Sequence, residues 1–218
     1  MFLTRLRKNA EGAAMVEFAV VAFVLLVIVG GLFDFMYIFW QRNMLIKAVE
    51  RGARIAAVSD PVVAGLSGVN MMPKGCTNPG DPWPPGGGTY GPFACAANIG
   101  KGYAISGTCL AAVDTIIYGR GGAAGACGAA GKNTYTIGMC DLSQNLGLGG
   151  AAVNIAYSDT GLGFCGRPQG PVPTITVTVT NAPFDYFFLG GLLGLANLNL
   201  NTAAATITGE DLSSSAPP

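Results

Sequence analysis

A charge-free stretch near the N-terminus constrains this chain more than any other feature. Residues 18–33 carry no charged side chain, and the apolar character continues through Phe35, Met36, Tyr37, Ile38, Phe39 and Trp40. With residues 13–16 included, the run exceeds the about 20 residues that an α-helix needs to cross a bilayer core. Arg5, Arg7 and Lys8 stand ahead of it, before any acid. A secretory signal has an apolar core of only about 7–15 residues, so this longer run reads as a retained membrane helix over residues 13–40. The aromatic residues Phe35, Tyr37, Phe39 and Trp40 at its far end suit an interfacial belt.

Composition removes most other classes. The chain has 218 residues, enough for one domain or a small domain plus a separate helix. It contains no histidine, which excludes Ser-His-Asp and Cys-His catalysis, histidine-ligated zinc or haem, and histidine pH switching. No catalytic, cofactor-binding or metal-ligating set is therefore expected. Twelve basic residues balance twelve acidic ones and no basic stripe carries interleaved aromatics, so nucleic acid is not an expected partner. A hydrolase built on carboxylates alone would need two acids converging in one cleft, whereas Asp114, Asp141 and Asp159 are scattered among loops.

Cys76, Cys95, Cys109, Cys127, Cys140 and Cys165 all follow the apolar run, in a region rich in glycine and proline. An even number with no C-x-x-C spacing argues for three structural disulfides in an oxidising compartment and against a zinc ribbon or thioredoxin-type pair. Spacing leaves fifteen connectivities open. Residues 78–88, dense in proline and glycine, read as a surface loop tied by Cys76 and Cys95.

Beyond the membrane run the helix is expected to continue. Ile38, Leu45, Val49, Ala53 and Ala56 fall on one face, with Asn43, Lys47, Glu50, Arg51 and Arg54 opposite. Arg42 intrudes on the apolar side, and Gly52 in the interior costs up to ~1 kcal/mol. Pro61 ends the helix by disfavouring the helical conformation at Asp60. Residues 174–180 alternate Ile175, Val177 and Val179 with threonine, the period of a half-buried strand. Residues 135–139 and 153–157 are weaker strand candidates, and 110–118 fit helix or strand. The apolar run 186–196 is too short and too rich in glycine for a second span, and reads as an interfacial or subunit-contacting segment. Gly119-Arg-Gly121-Gly-Ala-Ala124 mimics a dinucleotide fingerprint without the βαβ unit that such a site requires. Asp211-Leu-Ser213-Ser-Ser215 imitates an adhesion-domain metal motif but stands in a tail expected to be disordered. The fold class is α+β: a long N-terminal membrane helix with an amphipathic continuation, packed against a small antiparallel sheet with a disulfide-rich, loop-rich insert.

Glu17 does not fit a passive anchor. An acid inside a membrane helix costs about 2.5–3.5 kcal/mol at the bilayer centre and less near the interface, so a functional role is the default reading. Its surroundings, Gly12-Ala13-Ala14-Met15-Val16-Glu17-Phe18 behind a short basic leader, resemble the processing site of type IV prepilins and pseudopilins. That resemblance implies cleavage after Gly12 by a prepilin peptidase, leaving Ala13 as the new N-terminus and Glu17 fifth in the mature chain. The freed amine of one subunit would then neutralise the carboxylate of another, so that the charge is tolerated only in register. Phe33-Asp34-Phe35 and Ala48-Val-Glu-Arg-Gly-Ala-Arg-Ile-Ala-Ala57 narrow the likeness to the TadE-like proteins of the tight-adherence (Flp-type, type IVb) pilus system. Residues 174–180 with Ala182-Pro183-Phe184, and residues 203–210, are similar to that family's closing strand, Pro-Phe turn and final segment.

The resemblance implies a non-enzymatic, membrane-anchored pseudopilin or minor pilin acting in pilus assembly, initiation or tip formation, with adhesion as an added role. Gly12 and Ala13 would be the processing residues, and Glu17 and Phe18 the assembly residues. Implied partners are the membrane, the prepilin peptidase, other pilin and pseudopilin subunits, the assembly platform, and a surface or cell receptor. The implied location is the bacterial inner membrane, single-pass, with a cytoplasmic N-terminus, a periplasmic head and an extracellular place in the finished pilus. The expected organisation is a leader at 1–12, transmembrane helix at 13–40, amphipathic continuation at 41–60, Cys/Gly/Pro-rich insert at 61–173, strands and hydrophobic segment at 174–210, and tail at 211–218. The alternative is a signal-anchored extracytoplasmic binding protein or adhesin that never enters a filament, with an intact leader and tolerance of Glu17→Ala.

Overall fold

A computed structural model of the protein describes residues 10–84, 90–98, 109–120, 127, 136–142, 151–168, 170–184, 186–194, 198–200 and 203–209. The expected leader before residue 10, residues 85–88 of the proline-rich loop, most of the fingerprint-like glycine segment and the tail at 211–218 lie outside these. The chain divides into two compact units, one made of Met1–Trp40 and Asp185–Leu198, the other of Gln41–Phe184 and Asn199–Pro218.

One element runs through both. Helix α1, Ala10–Ala57, is 48 residues long and ends just short of the Ser59-Asp60-Pro61 stop. In the first unit its side chains face outward: Met15, Val16, Phe18, Phe23, Leu25, Ile28, Leu32, Phe33 and Phe35 are all exposed. Among the described residues it is the one helix long and apolar enough to cross a membrane.

In the second unit the same helix becomes one-sided. Leu45, Ala48, Val49, Ala53, Ala56 and Ala57 are buried, while Asn43, Lys47, Glu50 and Arg54 stay exposed, which is the face division read from the sequence except that Ile38 is only half-buried and Arg51 is half-buried too, its Nε donating to the Ile137 carbonyl. Arg42 is exposed, so it does not break the buried stripe. Gly52 has a packing reason: a Cβ there would strike the Met139 side chain. Short helices follow at Ala64–Ser67 (α2), Ala112–Tyr118 (α3) and Met139–Leu142 (α4). The ambiguous 110–118 segment is thus helical, with Val113, Ile116, Ile117 and Tyr118 all buried. The strand candidate at 135–139 is corrected: Met139 opens a helical turn, and the Asp141 carboxylate accepts the Gly138 N–H at 2.8 Å to start it.

The sheet is antiparallel, with strands β1 (Phe93–Asn98), β2 (Ala152–Leu162), β3 (Val172–Thr180) and β6 (Ala203–Thr208) in the order β1-β2-β3-β6. Register places Ile155 beside Val177 and Val153 beside Val179 on one side, with Ala205 and Ala203 opposite the same two valines on the other. Alternation then sends one set of β3 side chains inward and the threonines outward. Ile175, Val177 and Val179 are buried, whereas Thr174, Thr176, Thr178 and Thr180 are half-buried. Thr176 and Thr206 share a hydroxyl hydrogen bond of 3.2 Å across the outer face. The inward set joins Leu45, Val49, Ala53 and Ala56 of α1 in one hydrophobic core. Ala182–Phe184 (β4) is a strand where the family resemblance suggested a Pro-Phe turn, and with Leu198–Leu200 (β5) it lies outside this sheet.

All six cysteines pair, as Cys76–Cys165, Cys95–Cys109 and Cys127–Cys140. The expected tie between Cys76 and Cys95 is therefore corrected. Cys76 instead anchors its loop to the turn after β2, where Gly80 N–H donates to Cys165 O, and Cys165 N–H to Asp81 O, both at 2.8 Å. Asp81 organises the loop from inside, its carboxylate accepting the Thr77 and Asn78 amides at 3.0 and 2.7 Å. Cys95 lies within β1 and reaches Cys109, which bridges Val63 across a short antiparallel contact.

Candidate functional site

The expected processing and assembly residues stand together at the start of α1. Gly12 is half-buried, and a Cβ there would meet nothing within 4 Å. Ala13, Glu17 and Phe18 are exposed, the last by 75 %. One acid in an outward-facing apolar surface is a poor match to lipid and a good one to a cationic group brought by another chain.

A second acid, which sequence reasoning passed over, closes the charge-free stretch at its other end. Asp34 follows Glu17 by seventeen residues, about 26 Å along an α-helix, so the two carboxylates bracket most of a hydrocarbon core of about 30 Å. Asp34 is buried although its neighbours Phe33 and Phe35 are exposed. Its Oδ1 accepts the backbone N–H groups of Phe187 and Phe188, each at 2.8 Å, and its Oδ2 accepts that of Leu189 at 2.6 Å. These donors belong to the start of a short helix, α5, Leu189–Leu193, whose first amides have no partner within the helix. One turn before Asp34, Gly30 leaves room for the Phe188 ring to lie where a Cβ would otherwise be. One turn after it, the Tyr37 ring stands 6.2 Å from that of Phe187 and stacks on Trp40 at 5.9 Å. Gly194, at φ +65°, terminates α5 in the left-handed conformation that favours glycine. The segment 186–194 therefore holds a five-residue helix, far too short for a second span. An acid interrupting an apolar run was the available signal for Asp34; the partner was not readable.

In the second unit two of the three acids considered for catalysis are occupied locally. Asp159 accepts from Trp83 Nε1 at 3.4 Å and from Gly161 N–H at 2.9 Å, and Asp141 caps its own helical turn. Asp114 lies in the first turn of α3. An open cleft of about 370 Å³ is lined instead by Arg51, Arg54, Arg120, Ser59 and Thr115, with none of these acids among its walls. Gly119, the first glycine of the fingerprint-like run, follows helix α3 and not a strand. Among the described residues no group of three histidine, cysteine, aspartate or glutamate side chains is placed to hold a metal ion.

The family comparison coincides with the helix that carries Glu17 and Asp34. Residues 12–54 match the family model of the TadE-like proteins. The likeness is confined to the N-terminal helix. The match begins at Gly12 and ends at Arg54, so it lies wholly within α1; the sheet and all three disulfides fall outside it. No curated protein and no solved structure matches the chain. Among the described residues α1 is the one helix long and apolar enough to cross a membrane, which is compatible with a single-pass anchor.

Proposed function

We propose that this chain is a non-enzymatic pseudopilin or minor pilin, held in the bacterial inner membrane by the TadE-like helix and taking part in tight-adherence pilus assembly, initiation or tip formation. The observation that carries this reading is the coincidence at Gly12: the family match starts there, on an apolar helix in which Glu17 is the one acid between Gly12 and Asp34. Residues 1–12 act as a leader, and a prepilin peptidase cuts after Gly12. Ala13 then supplies a cationic amine that meets Glu17 of a neighbouring subunit, beside Phe18. The outward apolar surface of α1 supports such stacking, because a patch of this size needs lipid or other helices against it. The N-terminus faces the cytoplasm and the disulfide-tied head the periplasm, moving outside the cell in the assembled pilus, where it is the surface offered to a receptor.

The test is the N-terminal residue of the membrane-purified protein, read by mass spectrometry in cells with and without a prepilin peptidase. A peptidase-dependent start at Ala13 is the expected result. A chain starting at Met1 in both strains overturns the processing and puts the anchored binding protein or adhesin in its place.

A further inference from the structure

The apolar surface of the span does not end with α1. Residues 186–194 carry no charged side chain, and their most prominent side chains point outward: Phe187 is 78 % and Leu192 47 % exposed. They are held beside the Gly30–Asp34 turn, so their exposed rings and methyls continue the exposed surface of Phe33 and Phe35. Depth along the helix places this patch. If residues 18–33 fill the hydrocarbon, Asp34 and Tyr37 stand at its head-side edge, where tyrosine and tryptophan rings favour the boundary between acyl chains and headgroups. Tyr37 supplies such a ring against Phe187, with Trp40 stacked on Tyr37 and Tyr186 preceding Phe187 in the chain.

The backbone is prepared for the same setting. A non-helical segment at membrane depth must satisfy its amides within the protein, since each orphan N–H in hydrocarbon costs several kcal/mol. The amides of Phe187, Phe188 and Leu189 are the ones that would be left bare, and Asp34 takes all three. In water those amides could bond to solvent, and a buried carboxylate would be an expensive way to hold them. At the bilayer edge it is the arrangement that lets an apolar turn sit in lipid.

We propose that residues 186–194 form a lipid-inserted element at the head-side bilayer interface, clasped to the membrane helix by Asp34. The occupant of the exposed Phe187–Leu192 face is the acyl–headgroup boundary of the membrane, because that face continues the lipid-facing surface of the span and the one acid between them among the described residues, Asp34, is buried. The inference rests on the membrane-anchored reading of α1.

The experiment uses the full-length protein in phospholipid vesicles that carry a diazirine on the lipid acyl chain. After photolysis, carbene adducts are mapped by peptide mass spectrometry. Residues 18–33 report the anchor, residues 186–194 the proposed element, and the exposed Leu162 and Phe164 of the second unit serve as aqueous controls. The expected result is labelling of 186–194 comparable to that of 18–33 and several-fold above Leu162 and Phe164, with a several-fold loss over 187–192 in Asp34→Leu while 18–33 is unchanged. Labelling of 18–33 with only control-level labelling of 186–194 overturns the lipid element and leaves the anchor standing. Absence of label from 18–33 overturns the anchor and the element with it. Protection of 186–194 from both the lipid carbene and an aqueous hydroxyl-radical label assigns the face to another protein chain and also overturns it.

Discussion

The Asp34 carboxylate lies 2.6 Å from the Leu189 backbone nitrogen, joining residues 155 positions apart. The same carboxylate also holds Phe187 and Phe188, so one side chain fixes the path of the whole 187–189 turn. Hydrogen bonds to an ionised acceptor are worth about 1.5–3 kcal/mol each where both partners are shielded from water. Replacing Asp34 by Ala should therefore release the segment locally, by roughly 3 kcal/mol or more for the three bonds together. Hydrogen exchange at the Phe187, Phe188 and Leu189 amides in a membrane mimetic is the readout, and unchanged protection there would count against the clasp.

Gly52 and Met139 make a comparable pair in the core, since the Met139 side chain fills the space of a Cβ at 52. Gly52→Val should lower the thermal midpoint, by about 1–3 kcal/mol of stability for an overpacked site. Shortening the neighbour should reduce that cost. Gly52→Val is expected to cost less in a Met139→Ala background, and an equal cost in both backgrounds would show that the clash lies elsewhere.

The Cys76–Cys165 bridge spans 89 residues and holds the loop before β1 against the turn after β2. Removing a native disulfide from a small secreted domain costs about 2–5 kcal/mol, and long closed loops stand toward the upper end. The double variant Cys76→Ser, Cys165→Ser should melt well below the parent under non-reducing conditions. Peptide mapping of the unreduced parent should recover Cys76 joined to Cys165; recovery of Cys76 with Cys95 would overturn the connectivity.

Tyr157 gives the second unit an alkaline limit. Its ring is fully buried, and burial pushes the phenol from the ordinary 10.0 up to about 12, although the Val62 N–H donated to its hydroxyl favours the phenolate slightly. Tyr90 is shifted in the same direction by burial and then by the nearby Asp159 carboxylate. A phenol whose folded-state pKa lies above its unfolded value contributes stability that is fully present below about pH 10 and is lost as pH rises through about 12. Denaturant midpoints should accordingly fall between these limits, and Tyr157→Phe should flatten that part of the profile. A Tyr157→Phe profile parallel to that of the parent would remove Tyr157 as the cause.

Glu17 carries the assembly proposal. Glu17→Ala should leave membrane insertion intact, because removing an acid from an apolar helix lowers its insertion cost. Piliation should nevertheless be lost, as the partner for the neighbouring amine is gone. Electron microscopy of the mutant decides it, and normal pili would sink the registration role.

Much of the frame was legible from single segments. The buried stripe of Leu45, Val49, Ala53 and Ala56 follows from a 3.6-residue period, and the inward Ile175, Val177 and Val179 follow from a period of two. Where a segment carried neither period strongly, the sequence misled: residues 135–139 looked like strand, yet an Asp141 cap turned Met139 into a helix start. The candidate site divided in the same way. Glu17 was visible as a charge out of place in an apolar run, whereas Asp34 at the opposite end passed for part of a family pattern, because its role depends on amides that belong to another part of the chain.

The long apolar helix, its one-sided continuation, the threonine-alternating strand and the pairing of the cysteines as disulfides were all set within single stretches of sequence, by composition or periodicity. Only the tertiary structure decided that Cys76 meets Cys165, that Arg51 donates to the Ile137 carbonyl 86 residues away, that Gly52 makes room for Met139, and that Asp34 receives the 187–189 turn. Local pattern records which side chains will be buried, since burial follows from hydrophobicity at a fixed spacing. It does not record what they will be buried against, because that partner is chosen by the packing of the whole chain.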